Sequence, residues 1–329
     1  MLHTDVSLSL ELARRLIKLG RHLGDDSKRL ESQRAYGCTL SHAGRLEEAD
    51  RVLAEGMAAY DPSRHRSLAF VYGHDPATTI YYYRALGQWL MGFPDEAAAT
   101  MARLEDMMRD SSHRLSQTYT CSMGAQVFQL RGDVKRVLAM SARGMALAEA
   151  GHLPMFGAFA EVLHGWALME QGDPGLAAVT IRRGLDRWNA AGGGAWKLYL
   201  RSLLADALRR SGDKTGAAAV LRQTARQLDT EDGERMFESE IYRLQGELCA
   251  GEGDREQAEL LMRRAIANAE AAGAPSLKLR AVISLARECA RHGEARTGRR
   301  LLQETFALFQ EGFQTADLRE AQKLIQDLR

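Results

Sequence analysis

Between Val6 and His22 the apolar residues Leu8, Leu12, Leu16 and Leu19 recur at helical spacing with charged residues between them, which predicts one amphipathic helix. The same periodicity continues along the chain, broken at regular intervals by a short polar turn that begins with Gly. Those glycines are Gly44, Gly92, Gly132, Gly172, Gly212, Gly253 and Gly293, with spacings of 48, 40, 40, 40, 41 and 40. Five places after each stand Ala49, Ala97, Val137, Ala177, Ala217, Ala258 and Gly298. Seven places before each stand Gly37, Ala85, Ala125, Gly165, Ala205, Gly246 and Ala286. A fixed period of this length is the mark of stacked structural repeats. The Gly ends one helix, because it alone takes a left-handed backbone cheaply. The small residues let the two helices of a hairpin cross closely.

The prediction is therefore an all-α, right-handed solenoid, read as one array over 1–329. Its seven hairpins cover about 26–60, 77–109, 112–150, 154–191, 195–228, 235–272 and 275–310. The helix at Val6–His22 is a half-repeat in front of them, as if the array started in mid-repeat. A last helix, 316–328, is predicted to cap the array, with Thr315 at its N-cap and Arg319, Glu320, Lys323 and Asp327 on its polar face. Solenoids need such an end to cover the last repeat. Asp61-Pro62 stops hairpin one, and Ser63 to Pro76 reads as a long connection. Its Tyr72-Gly73-His74-Asp75 fits either a binding loop or a packed connector whose His and Asp bond to neighbouring helix ends.

The small residue followed by Gly-x-x-x-x-Ala across each turn resembles the tetratricopeptide repeat, with a period near 40 in place of 34. The wider wording resembles the C-terminal helical-repeat region of large bacterial signalling proteins that carry an adenylate-cyclase or protein-kinase domain and an AAA-type ATPase domain. The stretches that carry this are Tyr72-Gly73-His74-Asp75, Gly165-Trp166-Ala167, Glu238 to Glu247, Glu311-Gly312-Phe313 and Thr315 to Leu318. The resemblance implies a regulatory part of a signalling system. Neither the cyclase nor the ATPase is present in this sequence, so no catalytic role carries over.

Composition narrows the function further. A net charge of +1 draws in neither nucleic acid nor anionic membrane. Cys38, Cys121, Cys249 and Cys289 lie far apart, without zinc-type spacing, and fit a reduced cytoplasmic protein. Met1 to Gly20 carries Glu11, Arg14, Arg15 and Lys18 and does not read as a signal peptide. No run approaches the roughly 18 apolar residues of a membrane span. Phosphate loops, His-Glu-x-x-His and Gly-x-Ser-x-Gly are missing, and no cofactor or metal is expected. Gly192-Gly193-Gly194 reads as a helix end and turn. The expectation is a protein that is not an enzyme.

The informative residues sit on the first helices, which line the concave side of such an array. Hairpins two to five place Thr79, Tyr82, Leu86, Trp89, Tyr119, Gln126, Gln129, Phe159, Val162, Trp166, Met169 and Tyr199 there. Hairpins five to seven turn charged, with Asp206, Arg209, Arg210, Glu240, Arg243, Glu247, Arg280, Arg287 and Arg291. Two readings stay open. The rings pack on one another as core, or they line a groove for a peptide or a partner's helix, where Trp and Tyr are common anchors. On the groove reading the contact residues are Tyr82, Trp89, Tyr119, Gln126, Gln129, Phe159, Trp166, Met169, Tyr199, Arg209 and Arg243. Lys278 to Arg300 holds seven basic and two acidic residues without a nucleic-acid motif, and reads as a solvated convex face or a contact for an acidic partner. The favoured function is an interaction scaffold that binds a protein or peptide. The alternatives are a sensor part acting on a separately encoded ATPase or cyclase, and a small-molecule receptor.

Overall fold

The computed structural model describes residues 5–228 and 233–328, and every regular element within them is helical. Residues 1–4, 229–232 and 329 of the expected array lie outside the described residues. Helix α1 spans Val6–His22. Hairpin one pairs α2 (Asp26–His42) with α3 (Leu46–Ala59). Two single-turn helices, α4 (Pro62–His65) and α5 (Ala69–Tyr72), lead to hairpin two, α6 (Pro76–Leu90) with α7 (Pro94–Arg109). Then come α8 (Arg114–Arg131) with α9 (Val134–Ala150), α10 (Pro154–Glu170) with α11 (Pro174–Ala190), and α12 (Lys197–Ser211) with α13 (Lys214–Leu228). The last hairpins are α14 (Glu238–Glu252) with α15 (Arg255–Ala271) and α16 (Pro275–Arg291) with α17 (Ala295–Phe306), followed by α18 (Ala316–Asp327).

All seven turn glycines have positive φ, between 74° and 100°. At the third, Gly132 N donates to Gln129 O and Asp133 N to Phe128 O, which satisfies carbonyls that a helix end leaves free. Asp133, Asp173, Asp213 and Asp254 then restart the chain, each accepting from a backbone N–H three residues on. At the crossings there is no room for a side chain. A Cβ on Gly165 would lie 2.6 Å from Ile181 Cγ1 and 3.1 Å from Ile181 N; one on Gly298 would lie 2.9 Å from Ala286 Cα. Backbone therefore comes close to backbone at these crossings. The first helices stack on one another in sequence, α2 on α6, then α8, α10, α12, α14, α16 and α18.

Three boundaries differ from expectation. Helix α12 starts at Lys197 because Trp196 takes a left-handed backbone, φ 68°. Helix α14 starts at Glu238 after a turn at Met236–Phe237. Helix α17 ends at Phe306. The end of the connection after hairpin one is packed, as the connector reading expects of its His and Asp, while Phe70 and Val71 ahead of it stay exposed. Asp75 accepts from Ala77 N and from Tyr60 Oη, both at 2.9 Å, and His74 Nε2 lies 3.3 Å from Glu31. Burial works against the Glu31 charge, but His74 and Arg34 together overcome it and hold the carboxyl at about 2. Thr315 occupies the N-cap position of α18 without capping it: its hydroxyl donates to Gly312 O at 2.7 Å.

The curl of the array brings its C-terminal end back onto hairpins two and three. Glu311 Oε1 accepts from Asp95 N (2.7 Å) and Glu96 N (3.0 Å), the free N–H groups at the start of α7. Gly312 N donates to Asp95 Oδ2 at 2.9 Å, and Arg131 Nη2 lies 3.1 Å from Asp95 Oδ1. Ser276 Oγ donates to Trp89 O at 2.6 Å, across 187 residues. The contact is close because three of its residues lack a side chain: a Cβ on Gly92 would meet Pro275 and Phe309, one on Gly132 would overlap Ala316, and one on Gly312 would overlap Pro94.

Gly165→Leu is expected to destabilise the fold by about 1–3 kcal/mol or more, because overpacking forces α10 and α11 apart. Equilibrium denaturation measures this, and an unchanged midpoint would contradict the close crossing. Deleting residues 315–329 is expected to uncover Leu302 and Phe309, which pack with Leu318, Ala321 and Leu328, and to release the contact with Gly132. A lower melting temperature or aggregation should follow; a truncated chain as stable as the parent would show that α18 covers nothing of consequence.

Candidate functional site

The concave side is two different places. From α2 to the start of α12 it is filled. Trp196 stands at the centre, its ring centroid 4.8 Å from that of His42, 5.8 Å from Tyr83, 6.0 Å from Tyr82, 6.1 Å from Phe159 and 6.2 Å from Tyr199. Most polar edges of this cluster are satisfied internally, Gln126 Nε2 being buried without a partner. Trp196 N donates to Glu234 Oε1 at 2.6 Å, which also lies 3.0 Å from His42 Nδ1, while His42 Nε2 and Tyr83 Oη share a 2.8 Å hydrogen bond. Tyr82 Oη donates to Gln126 Oε1, and Tyr199 Oη to Gln129 Oε1 at 2.7 Å. Aromatic rings so arranged carry both area burial and favourable edge contacts.

The predicted contact residues divide accordingly. Tyr82, Phe159 and Gln126 have no exposed surface, and Trp89 and Met169 retain 2%. Tyr119 is half-buried between the rings of Tyr82 and Phe156. The first five do not border open space, because closure of the array presses the first helices together and their side chains fill the gap, and Tyr119 does so only in part. Trp89 is covered by Arg280, whose guanidinium sits 4.8 Å from its ring centroid and donates to Leu130 O at 3.0 Å.

Gln129, Trp166, Tyr199, Arg209 and Arg243 do border open space. They line a cavity of about 460 Å³ enclosed by α8, α10, α12, α14, α16 and α18. All nine charged positions read from hairpins five to seven line it as well. Arg280, Arg287 and Arg291 therefore turn inward, which corrects the convex placement of the Lys278–Arg300 stretch for these three. Asp317 and Glu320 of α18 face them: Arg280 Nε lies 2.7 Å from Asp317, and Arg287 pairs with Glu320.

The cavity wall holds one ion network on α12 and α14, beside the separate pairs that α16 makes with α18. Arg243 binds Glu240 (2.5 Å) and Glu247 (2.6 Å) on its own helix. Glu247 also takes Arg209 from α12 (3.0 Å) and the Ser284 hydroxyl from α16 (2.6 Å). Arg210 reaches Glu170 on α10 at 2.5 Å. Burial opposes the charges of Glu240 and Glu247, and Arg243 overcomes it, holding both carboxyls below their usual range. Burial pushes the Glu320 carboxyl up. Such a wall can bind groups of either sign and the amides of an extended chain. Among the described residues no group of three His, Cys, Asp or Glu is placed to hold a metal, and no helix is long and apolar enough to cross a membrane.

Sequence reasoning missed Trp196, Phe237, His42 and Glu234. Trp196, Phe237 and Glu234 lie in connections outside the repeat register, and His42 ends α2. The turn period gives no sign of them, since it holds at 40 and 41 across the two connections.

No protein-family model matches the chain, and no curated protein matches it in sequence. Solved structures match its fold. It is similar to a Rap protein complexed with Competence and Sporulation Factor, with TM-score 0.60 and 10% identity over 98% of this chain and 97% of that one. It is similar to NprR in complex with its cognate peptide NprX, with TM-score 0.59 and 12% identity over 91% and 84%. It is also similar to the APC/C hetero-tetramer Cut9–Hcn1, with TM-score 0.58 and 11% identity over 99% of this chain. The chain spans about half, 53%, of that last chain. These likenesses make the fold a tetratricopeptide-like α-solenoid.

Trp89→Ala is expected to cost about 3–5 kcal/mol of unfolding free energy, as a large ring deleted from a closed core. Chemical denaturation followed by circular dichroism reads it out; a loss below about 1 kcal/mol would place the ring on an accessible wall.

Proposed function

We propose that the chain is a non-enzymatic interaction module that receives a protein or peptide segment in the charged cavity. One observation carries this reading: first helices from five hairpins, together with α18, converge on one water-accessible space lined by paired guanidinium and carboxylate groups. A wall of this kind does not resemble the dry, mostly apolar pocket that small ligands favour. An extended segment presents alternating donors and acceptors that exchange with the existing pairs at little desolvation cost. The proteins named in the similar structures are seen with a peptide, a factor or a partner subunit, which supports the reading by analogy of fold. On this proposal Gln129, Trp166, Tyr199, Arg209 and Arg243 contact the ligand, and the six core residues hold their positions. A separately encoded ATPase or cyclase as the partner rests only on the wording of the stretches quoted above. A cytoplasmic setting rests on the four unpaired cysteines.

Selection of random peptides of about a dozen residues against the full chain tests the proposal. Selected peptides should compete for one site. Arg210→Glu and Arg287→Glu, at the accessible rim of the network, should each weaken them at least about tenfold with the melting temperature kept. Peptides that bind equally well to both variants would locate the site elsewhere.

A further inference from the structure

Helix α1 leaves one face uncovered. Leu8, Leu12, Leu16, Leu19 and Leu23 are 42%, 49%, 40%, 52% and 46% exposed. At about 100° per residue these five fall within about 80° of the helix circumference; Leu23 belongs to the stripe because its backbone still follows the helix. The face that α1 buries, Val6, Ala13 and Ile17, is a different one, about a third of a turn round. The stripe is about 22 Å long, and no other helix among the described residues carries as many exposed leucines. Contiguous exposed apolar surface of this kind marks an interaction site.

We propose that a second copy of this chain covers the stripe, α1 packing antiparallel on α1 about a two-fold axis. The spacing of the leucines argues for it. In a two-fold antiparallel pair, residues whose numbers sum to a constant stand opposite each other. With a sum of 31, Leu8 meets the partner's Leu23 and Leu12 meets the partner's Leu19, twice each by symmetry, and Leu16 lies beside the axis. Leu12, Leu16, Leu19 and Leu23 alternate by four, three and four, the spacing of a two-helix seam.

Charge argues for the same direction. Glu11, Arg15, Lys18 and His22 form one exposed flank of the stripe. Antiparallel pairing sets like flanks side by side, with Glu11 toward the partner's Lys18 twice and Arg15 toward the partner's Arg15 beside the axis, where the Glu11–Arg15 ion pair on each helix offsets the two guanidinium charges. The opposite flank holds Ser9 and Gly20, and Gly20 lies so close to Ser32 of α2 that a Cβ there would overlap the hydroxyl. Parallel pairing would push the charged flank against that crowded side. A net charge of +1 leaves two copies without mutual repulsion. One helix against one helix is narrower than the roughly 800 Å² per partner of a standard stable interface, so the dimer forms and dissociates with concentration. This surface lies outside the cavity, and its test does not depend on the proposed peptide site.

Sedimentation velocity of the full chain, from about one to a few hundred micromolar, decides it. The parent should shift from monomer to dimer over that range. The Leu12→Glu/Leu19→Glu double variant should weaken association at least about tenfold with unchanged circular dichroism and melting, since both side chains are exposed. Mild oxidation of a Leu16→Cys variant should link two chains, as should a mixture of Leu8→Cys and Leu23→Cys chains, whereas Leu8→Cys alone should not. A parent that stays monomeric throughout overturns the proposal and leaves the stripe to a helix of another protein. Dimerisation that survives the double variant, or linkage by Leu8→Cys alone, overturns it equally.

Discussion

The distance between two helix axes at each crossing sets everything else in this protein. Where Gly165 meets Ile181 and Gly298 meets Ala286, backbone lies against side-chain roots with no space for a further carbon. Close crossings fix the angle and height of each hairpin on the one before it. Small rotations then add up with the same sign. After five repeats the start of α16 reaches the end of α6, and Ser276 finds the carbonyl of Trp89. The glycines at Gly92, Gly132 and Gly312 serve this second approach as others serve the first: three positions without side chains let two distant stretches touch.

Closure would have sealed the concave side completely if its lining were apolar throughout. Hairpins two to five supply rings and amides, which interdigitate around Trp196 and exclude water. Hairpins five to seven supply guanidinium and carboxylate groups. Stripping water from so many charges costs more than their pairing returns, so that half stays open. The boundary between dry core and wet cavity runs through Tyr199 and Gln129, which hydrogen-bond to each other and touch both sides. The cavity is thus a consequence of where along the chain the composition changes from aromatic to charged.

This explains what could be read from the residues and what could not. The turn glycines and small positions were legible because each states a local requirement, a positive φ or a missing side chain. The nine charged residues of the cavity were legible because register on a helix fixes the direction of a side chain. The state of Tyr82, Trp89 and Phe159 was not, since core and groove demand the same residues and differ only in how tightly the array curls. Trp196 gave no signal at all. It is a non-Gly residue at φ 68°, held there by a hydrogen bond from its own N–H to Glu234 in the next connection and by rings from α2, α6, α10 and α12, and none of these constraints is local in sequence. Thr315 shows the reverse error: the residue type suits an N-cap, but Gly312 O is nearer at hand.

The two outermost helices of the described array, α1 and α18, differ in what covers them. At the C-terminal end, α18 buries Leu318 and Ala321 against hairpin seven, while Asp317 and Glu320 turn into the cavity. Its remaining need for contact is met by hairpin three, through Ala316 on Gly132. The curl that closes the array thus gives α18 neighbours on two sides. Helix α1 shows no such return contact: the returning stretches meet hairpin one only at the end of α2, where His42 touches Trp196 and Glu234 and its carbonyl accepts from Arg235 N. Its second face keeps five leucines in water, each forgoing about half of the burial that a packed leucine gains. Curvature that covers α18 from two sides therefore gives α1 no second neighbour among the described residues.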